Sequence, residues 1–185
     1  MKFFRKGLEE SITLPPPPTD DVAEAKEVKR IVAIRTAKDV KSVMDHDRVP
    51  FYAIRTYCDE HGLIFHDNEF KDVIYQATPI INYFKEKFNR KRPVEIDKTL
   101  NTLPSVTNKT ASYPSGHAAQ ARLVAKYVGG KFPEHEAELI KAGNEGGYGR
   151  VQAGFHYLSD YDSGNLLGEK MYVFMNKADY KKSNE

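Results

Sequence analysis

The stretch Pro114-Ser115-Gly116-His117 combines the start of a helix with a residue that can transfer protons. Pro114 fits before a helix rather than inside one, Ser115 is a favourable N-cap, and a helix-forming run follows Gly116. The free backbone N–H groups of a first helical turn converge on one point and attract an anion, above all a phosphate. The imidazole of His117 at that point can exchange a proton near neutral pH. Taken alone, the stretch predicts no more than an anion-binding helix start.

His156 and Asp160 form a second group with chemical potential, because they are four residues apart. On a helix this spacing places both side chains on one face. The carboxylate of Asp160 can then hold the Nδ1 proton of His156 and leave Nε2 free as a nucleophile or base. Arg150 lies upstream across Gly154, which can bend the chain and return the guanidinium towards the imidazole. Taken alone, the pair is best interpreted as an ordinary contact on a helix surface.

A basic cluster covers Lys85 to Arg92, where five of the eight residues are lysine or arginine. The simplest interpretation is a solvated helix end, which also suits the helix dipole. A nucleic-acid patch is a second interpretation. In a third, Lys85 and Arg92 converge on one phosphate, and Pro93 ends the helix so that Arg92 points into a pocket. The cluster alone favours the solvated helix end.

The three groups together form an ordered signature. It reads lysine, six residues, Arg-Pro; then Pro-Ser-Gly-His; then arginine, five residues, histidine, three residues, aspartate. This signature resembles that of the phosphatidic acid phosphatase type 2 (PAP2) / vanadium haloperoxidase superfamily, and within it most of all the bacterial class A nonspecific acid phosphatases. Three further runs resemble those phosphatases, at Leu14 to Pro18, Ser112 to His117 and Gly154 to Asp162. The resemblance extends from about residue 14 to residue 175.

The resemblance implies a role for each residue of the signature. His156 would attack phosphorus and form a phosphohistidine, and Asp160 would orient and polarise it. His117 would protonate the leaving alkoxide and later activate water. The phosphate of the substrate would be held by Lys85, Arg92, Ser115, Gly116 and Arg150. No metal or other cofactor would be needed, and vanadate would act as an inhibitor.

Three functions are compatible with these residues. The leading one is a metal-independent phosphomonoesterase that acts on a small soluble phosphate ester. A vanadate-dependent haloperoxidase would use the same pocket, with vanadate as its cofactor on His156, but known haloperoxidases of this superfamily are much larger. A basic helical module that binds anions or nucleic acid through residues 85–92 would leave His117, His156 and Asp160 without a purpose. We therefore expect a hydrolase with a small phosphorylated substrate and no stable nucleic-acid partner.

The pattern of apolar residues that must position this site predicts an all-α fold. The resemblance implies a single-domain helical bundle of the acid phosphatase/vanadium haloperoxidase type. Residues 1–18 are expected to form an N-terminal arm, because Pro15 to Pro18 must be extended. Residues 19–176 form the predicted helical phosphatase domain, and residues 177–185 form a polar tail. Helices are predicted at about residues 19–34, 37–45, 50–60, 69–88, 115–128, 134–144 and 157–175.

Two segments between these helices bear on the site. Residues 93–114 carry three prolines and little periodicity, so we expect a long loop, which in a compact domain is more often functional than idle. The glycines from Gly143 to Gly149 mark either a break between helices or a tight approach of two elements. Gly149 also replaces the serine that is usual in the family before the motif arginine, and we expect it either to loosen that loop or to alter affinity.

Composition argues against several other classes of protein. The chain has 185 residues and a net charge of +2, which is too small to argue for general nucleic-acid binding. Cys58 is the only cysteine, so no intramolecular disulfide can form. No apolar run reaches the length of a membrane span, and the N-terminus lacks the pattern of a secretory signal. We therefore expect a cytoplasmic protein without a membrane partner. Relatives commonly associate, so a homo-oligomer stays open.

Overall fold

The computed structural model describes residues 2–175, and helices are the only regular secondary structure in that range. This confirms the predicted all-α fold. The predicted polar tail, residues 177–185, lies outside the described residues. The α-helices in chain order are α1 (Asp21–Ala33), α2 (Ala37–His46), α3 (Tyr52–Glu60), α4 (Asp67–Phe88), α5 (Pro93–Ile96), α6 (Gly116–Lys131), α7 (Glu136–Gln152) and α8 (Leu158–Phe174). Short 3-10 helices cover Leu8–Ser11 and Pro133–His135.

Helix α6 is the centre of the bundle because it is apolar on most of its sides. Nine of its 16 residues are buried, and a helix that is apolar all round belongs in a core. It packs mainly against α7 and α8, and also against α4. Ser115 caps it as predicted, since its hydroxyl accepts a hydrogen bond from the Ala118 N–H. The start of α6, where the predicted anion site lies, is therefore held by its own cap and by neighbouring helices.

Two glycines allow α8 to approach α6 closely. A methyl group on Gly164 would lie 2.5 Å from the carbonyl oxygen of Ser115, and one on Gly168 would lie 2.6 Å from that of Ala119. These glycines are four residues apart and so share one face of α8. At this short separation the Ser115 N–H donates to the backbone carbonyl oxygen of Asp160 at 2.9 Å. The close packing thus joins two parts of the signature directly.

The glycines from Gly143 to Gly149 mark close approaches and not a break. The predicted helix ended at about Asn144, but α7 continues to Gln152. A methyl group on Gly143 would lie 3.2 Å from the carbonyl oxygen of Ala121 in α6. Glycine lowers helix propensity by about 1 kcal/mol relative to alanine, and here packing against α6 outweighs that loss.

Other predicted boundaries were wrong by a few residues. Helix α4 begins at Asp67 instead of Glu69, because acidic residues are favourable in a first turn. The segment predicted as a loop over residues 93–114 contains α5, which begins at Pro93. Helix α6 continues past residue 128 to Lys131.

The N-terminal arm lies on the helical domain. Its apolar side chains are buried in the main core, at Phe3, Phe4, Leu8, Ile12 and Leu14. The Tyr113 hydroxyl donates to the carbonyl oxygen of Pro15 at 2.6 Å, so the arm also contacts the loop before α6. The next element, α1, packs against α5 and α7 and thereby lies beside the site. Within residues 2–175 we find no helix with the length and apolarity of a membrane span.

We expect Gly164→Ala to lower the free energy of unfolding by about 1–3 kcal/mol, because the added methyl group forces α8 away from α6. Urea denaturation measures this change. Gly149→Ala is the matched control: its methyl group would meet only Val43, at 3.4 Å, and alanine is the better helix former. Equal stability of the two variants would contradict the importance of the α6–α8 approach.

Candidate active site

Most residues of the signature line one cavity of about 380 Å³. Six of the eight predicted site residues line it: Lys85, Arg92, Gly116, His117, Arg150 and His156. The other two, Ser115 and Asp160, are fully buried behind this wall. The hydroxyl of Ser115 is engaged as the cap of α6, so its predicted contact with phosphate stays a prediction.

His156 and Asp160 contact each other, although not on one helical face as predicted. His156 precedes α8, Tyr157 is the N-cap of that helix, and Asp160 occupies its third position. The Asp160 carboxylate accepts hydrogen bonds from the Tyr157 N–H at 3.0 Å and from His156 Nδ1 at 3.2 Å. Since a carboxylate only accepts, it fixes the tautomer with the proton on Nδ1. The Nε2 atom of His156 then carries the free lone pair.

The turn between α7 and His156 depends on Gly154. Its φ of +82° is in the left-handed region, which glycine adopts without strain. The Phe155 N–H donates back to the carbonyl oxygen of Arg150 at 3.0 Å. The turn places the Arg150 guanidinium over the Phe155 ring, 4.5 Å from its centroid. As the sequence predicts, the bend at Gly154 brings Arg150 and His156 to the same cavity.

Burial and partners together set the charge of the histidine–aspartate pair. Burial lowers the pKa of His156 well below its ordinary value, and the hydrogen bond to Asp160 opposes this without reversing it. Burial alone would raise the pKa of Asp160, but hydrogen bonds from His156 and Ser112, with the charge of Arg90, hold it below its ordinary value. The Ser112 hydroxyl donates to Asp160 Oδ2 at 2.5 Å. The pair is therefore a neutral imidazole on an ionised carboxylate, which is the form that a nucleophilic histidine needs.

Backbone carbonyl oxygens hold Lys85 and Arg92 in place. Lys85 Nζ donates to the carbonyl oxygen of Ala111 at 2.5 Å. Arg92 donates from Nε to Thr110 O at 2.8 Å and from a terminal nitrogen to Phe155 O at 2.9 Å. Carbonyl groups orient these two cations but do not neutralise them, so both positive charges are directed at the cavity.

Arg92 reaches the cavity from the connection between α4 and α5. The prediction that Pro93 ends the preceding helix was wrong, since α4 ends at Phe88 and Asn89 follows in a left-handed conformation with φ +43°. Pro93 instead occupies the first position of α5, where its missing N–H costs nothing. The terminal nitrogen of Arg92 lies 3.5 Å from Nε2 of His156. Lys85 and Arg92 therefore meet at one site as predicted, although Pro93 does not end the helix that carries Lys85.

Asp47 is a site residue that the sequence did not reveal. Its Oδ1 accepts from Arg150 at 2.8 Å, and its backbone carbonyl oxygen accepts from His117 Nε2 at 3.0 Å. Although burial opposes ionisation, hydrogen bonds from Ser105 and Arg150 lower the pKa of Asp47 to about 2. Burial, and then the charge of Arg150, lower the pKa of His117 well below its ordinary value. No motif or periodicity distinguishes Asp47, which directly follows the last residue of α2.

Comparison with known proteins adds partial matches to this geometry. No family model matches the chain. A non-specific acid phosphatase of Salmonella typhimurium is 37% identical over 87 residues, which cover 45% of this chain and 35% of that protein. An acid phosphatase of Zymomonas mobilis is 30% identical over 105 residues, which cover 55% of this chain and 40% of that protein. The match thus spans less than half the length of either relative.

The fold comparison covers almost the whole chain. The crystal structure of the first transmembrane PAP2 type phosphatidylglycerolphosphate phosphatase from Bacillus subtilis matches 94% of this chain and 91% of that chain, with a TM-score of 0.59 and 18% identity. These similarities in sequence and fold support the PAP2 superfamily that the motifs suggested, and the helical fold is shared.

Arg90 occupies a position that the PAP2 signature leaves open, and sequence reasoning missed it. Its side chain is only 2% exposed. One terminal nitrogen donates to Asp160 Oδ1 at 2.8 Å, and the other donates to Asp21 at 2.8 Å and to Glu24. Its guanidinium also lies 3.9 Å from the centroid of the Tyr157 ring. Arg90 therefore ties the carboxylate that holds His156 to helix α1.

The glycine that replaces the usual PAP2 serine does not loosen a loop, contrary to the expectation from the sequence. Gly149 is buried within the last turn of α7. Its carbonyl oxygen accepts from the Ala153 N–H at 2.8 Å, so the helical hydrogen bonding is intact there. A methyl group at this position would meet Val43 at an ordinary contact distance of 3.4 Å.

We expect Arg90→Gln to lower the free energy of unfolding by about 3–5 kcal/mol, because it leaves the buried carboxylate of Asp160 without its cationic partner. Urea denaturation at pH 7 measures the loss. The control is Arg30→Gln, which removes an exposed ion pair with Glu27 at 2.9 Å and should cost less than about 1 kcal/mol. A loss for Arg90→Gln as small as that of the control would show that this ion pair does not stabilise the site.

Proposed function

We propose that this PAP2 protein is a metal-independent phosphomonoesterase that hydrolyses small soluble phosphate esters through a phosphohistidine at His156. One observation carries the proposal: a buried neutral His156 is held at Nδ1 by Asp160, and it borders a cavity that is also lined by Lys85, Arg92 and Arg150. The names of the matched relatives, which are acid phosphatases and a PAP2 type phosphatase, support the same reaction class.

The cations suit the charge that develops during phosphoryl transfer. Negative charge in the transition state lies on the three equatorial oxygens of phosphorus. Lys85, Arg92 and Arg150 line the cavity. Within the described residues, the side chains of the first two contact only neutral groups, which are carbonyl oxygens and, for Arg92, Nε2 of His156. The Nε atom of Arg150 is buried and has no hydrogen-bond partner within residues 2–175. A buried donor without an acceptor costs about 1–3 kcal/mol, and a phosphoryl oxygen would remove that cost.

The proposed reaction has two balanced steps. The Nε2 lone pair of His156 attacks phosphorus, the bond from phosphorus to the ester oxygen breaks, and His117 gives its proton to that oxygen. A water molecule then gives a proton to His117 and its oxygen attacks phosphorus, so that the N–P bond breaks and phosphate leaves. The negative charge of a bound ester favours the protonated form of His117, because an opposite charge nearby raises the pKa of an imidazole.

The test is hydrolysis of p-nitrophenyl phosphate with excess chelator across a range of pH. We expect turnover that vanadate inhibits, and a loss of at least about 10³-fold in kcat for His156→Ala. His66→Ala is the control, because His66 is exposed and outside the cavity wall. Phosphate bound to the wild-type protein in an acid-labile, alkali-stable form would identify the phosphohistidine directly.

Two results would overturn the proposal. Activity that survives His156→Ala would exclude His156 as the nucleophile. Oxidation of bromide by peroxide after vanadate loading, without ester hydrolysis, would favour the haloperoxidase reaction instead.

The ammonium of Lys85 gives the proposed phosphate site a characteristic pH dependence. Burial and the nearby charge of Arg92 lower the pKa of Lys85 to about 7. The ammonium is therefore present below pH 7 and lost above it, so binding of an anion must weaken as pH rises from 7 to 9. We expect the inhibition constant of sulfate, whose charge is constant over this range, to rise by roughly tenfold per pH unit at most.

Two variants isolate this effect. Lys85→Arg keeps a positive charge at every pH, so its inhibition constant for sulfate should not rise between pH 7 and 9. Lys85→Met should bind sulfate weakly at every pH in this range. Inhibition by sulfate is measured with p-nitrophenyl phosphate as the reporter. If the inhibition constant of sulfate rises with pH in Lys85→Met as it does in the wild type, the pH dependence does not come from Lys85.

A further inference from the structure

The cavity extends beyond the residues that would hold a phosphate. Beside the six signature residues, its wall contains side chains that the proposed reaction does not use. These additional residues are Asp47, Arg48, Pro50, Ile74, Thr78, Ile81, Asn82, Thr107, Thr110 and Gln120. Three of them, Arg48, Asn82 and Gln120, have charged or amide groups that form no hydrogen bond or ion pair with another side chain among the described residues.

Asn82 and Gln120 each lie about one helical turn from a residue of the proposed phosphate site. Asn82 precedes Lys85 by three residues in α4, and Gln120 follows His117 by three residues in α6. Residues three apart are neighbours on a helix surface, so both amides lie next to the residues that would contact the phosphate. Both side chains are half-buried, and neither makes a hydrogen bond to another residue in the described part of the chain. Each amide offers two donors and an acceptor to a ligand.

Arg48 supplies an uncompensated charge at the edge of the same cavity. It directly follows Asp47, whose carbonyl oxygen holds His117, and so lies on the side of the proposed proton donor. Its side chain is exposed, and it forms no ion pair with any residue between 2 and 175. Arg90 and Arg150, by contrast, are paired with buried carboxylates. A free guanidinium at this place suits a second anionic group such as phosphate or carboxylate.

We propose that Asn82, Gln120 and Arg48 form a subsite for a polyhydroxylated leaving group that carries a second anionic group. The two amides bind hydroxyl groups next to the ester oxygen, and Arg48 binds the anion at the far end. The inference rests on the proposed phosphatase function and narrows its substrates to the class of sugar or polyol phosphates with two charged ends.

An apolar leaving group fits this wall less well. It would contact Ile74 and Pro50, but it would cover two amides without satisfying them. A buried polar group left unpaired costs about 1–3 kcal/mol, and sites built for hydrogen bonding reject ligands that lack the matching group. The polar residues therefore decide between the two kinds of leaving group.

Three six-carbon esters test the subsite: hexyl phosphate, glucitol 6-phosphate and glucitol 1,6-bisphosphate. For the wild type we expect kcat/KM for glucitol 6-phosphate to exceed that for hexyl phosphate by about tenfold, from two neutral hydrogen bonds. The double variant Asn82→Leu/Gln120→Leu should remove or invert this preference. Arg48→Gln should reduce only the advantage of the bisphosphate, by about twofold to fivefold, as for an exposed ion pair.

Matched controls separate these effects from general ones. Asn68→Leu changes an exposed amide in the same helix α4, and Lys98→Gln removes an exposed positive charge elsewhere. Neither should alter the ratios between the three esters. A wild-type preference for hexyl phosphate, or ratios that the subsite variants leave unchanged, would overturn the subsite.

Binding is measured as well, so that failure of the subsite and failure of the proposed function are distinguishable. Calorimetric titration of His156→Ala with the three esters should give the same order of affinities without turnover. Hydrolysis by the wild type without discrimination overturns the subsite alone. The expected order of affinities without any hydrolysis by the wild type supports the subsite and overturns the phosphatase function.

Discussion

The buried carboxylate of Asp160 is the constraint on which the rest of the site depends. Its side chain is completely buried, and an ionised carboxylate is stable in such a place only if it is paired and fully hydrogen-bonded. Its partners are His156, Tyr157, Ser112 and Arg90. They come from the turn after α7, the start of α8, the loop before α6 and the connection after α4. Satisfying one charge therefore fixes the relative positions of the segments that carry the PAP2 signature.

The basic residues of the site divide into two groups by the charge of their partners. Arg90 meets three carboxylates and Arg150 meets one. The side chains of Lys85 and Arg92 meet only neutral groups among the described residues, namely carbonyl oxygens and, for Arg92, His156 Nε2, so their positive charge is not cancelled. The first group holds His156 and its surroundings in place, and the second leaves a surplus of positive charge in the cavity. That surplus is what a doubly charged phosphate ester requires.

The sequence was most informative where a function depends on residues close together in the chain. The cap at Ser115, the bend at Gly154 and the meeting of His156 with Asp160 all follow from local spacing, and the structure shows each of them. The prediction that His156 and Asp160 share a helical face was wrong, because His156 precedes α8 and Asp160 lies in its first turn. The N-cap residue, Tyr157, is not a residue type that predicts the start of a helix. Spacing thus predicted the contact but not its geometry.

Ion pairs between residues far apart in the chain could not be predicted from the sequence, for a physical reason. Arg90 and Arg92 are the same residue type two positions apart. The segments that fold against Arg90 supply carboxylates and give it a structural role, whereas Arg92 lines the cavity and is available to a ligand. The basic cluster from Lys85 to Arg92 was best interpreted from the sequence as a solvated helix end, yet Lys85, Arg90 and Arg92 are buried. Charge density alone does not reveal which charges the fold will cover.

The part of the chain without any signature motif completes the electrostatics of the site. Asp21 and Glu24 of α1 balance Arg90, and Asp47 after α2 balances Arg150. Without Asp47, Arg150 would be a buried unpaired charge beside Lys85 and Arg92, and burial of unpaired charge is strongly unfavourable. Without Asp21 and Glu24, Arg90 would keep only its ion pair with Asp160. The apolar face of α1 packs against Leu100, Val151 and Tyr157, which keeps that helix in place. The N-terminal segment is therefore part of the candidate site in an energetic sense, although it contains none of the residues of the signature.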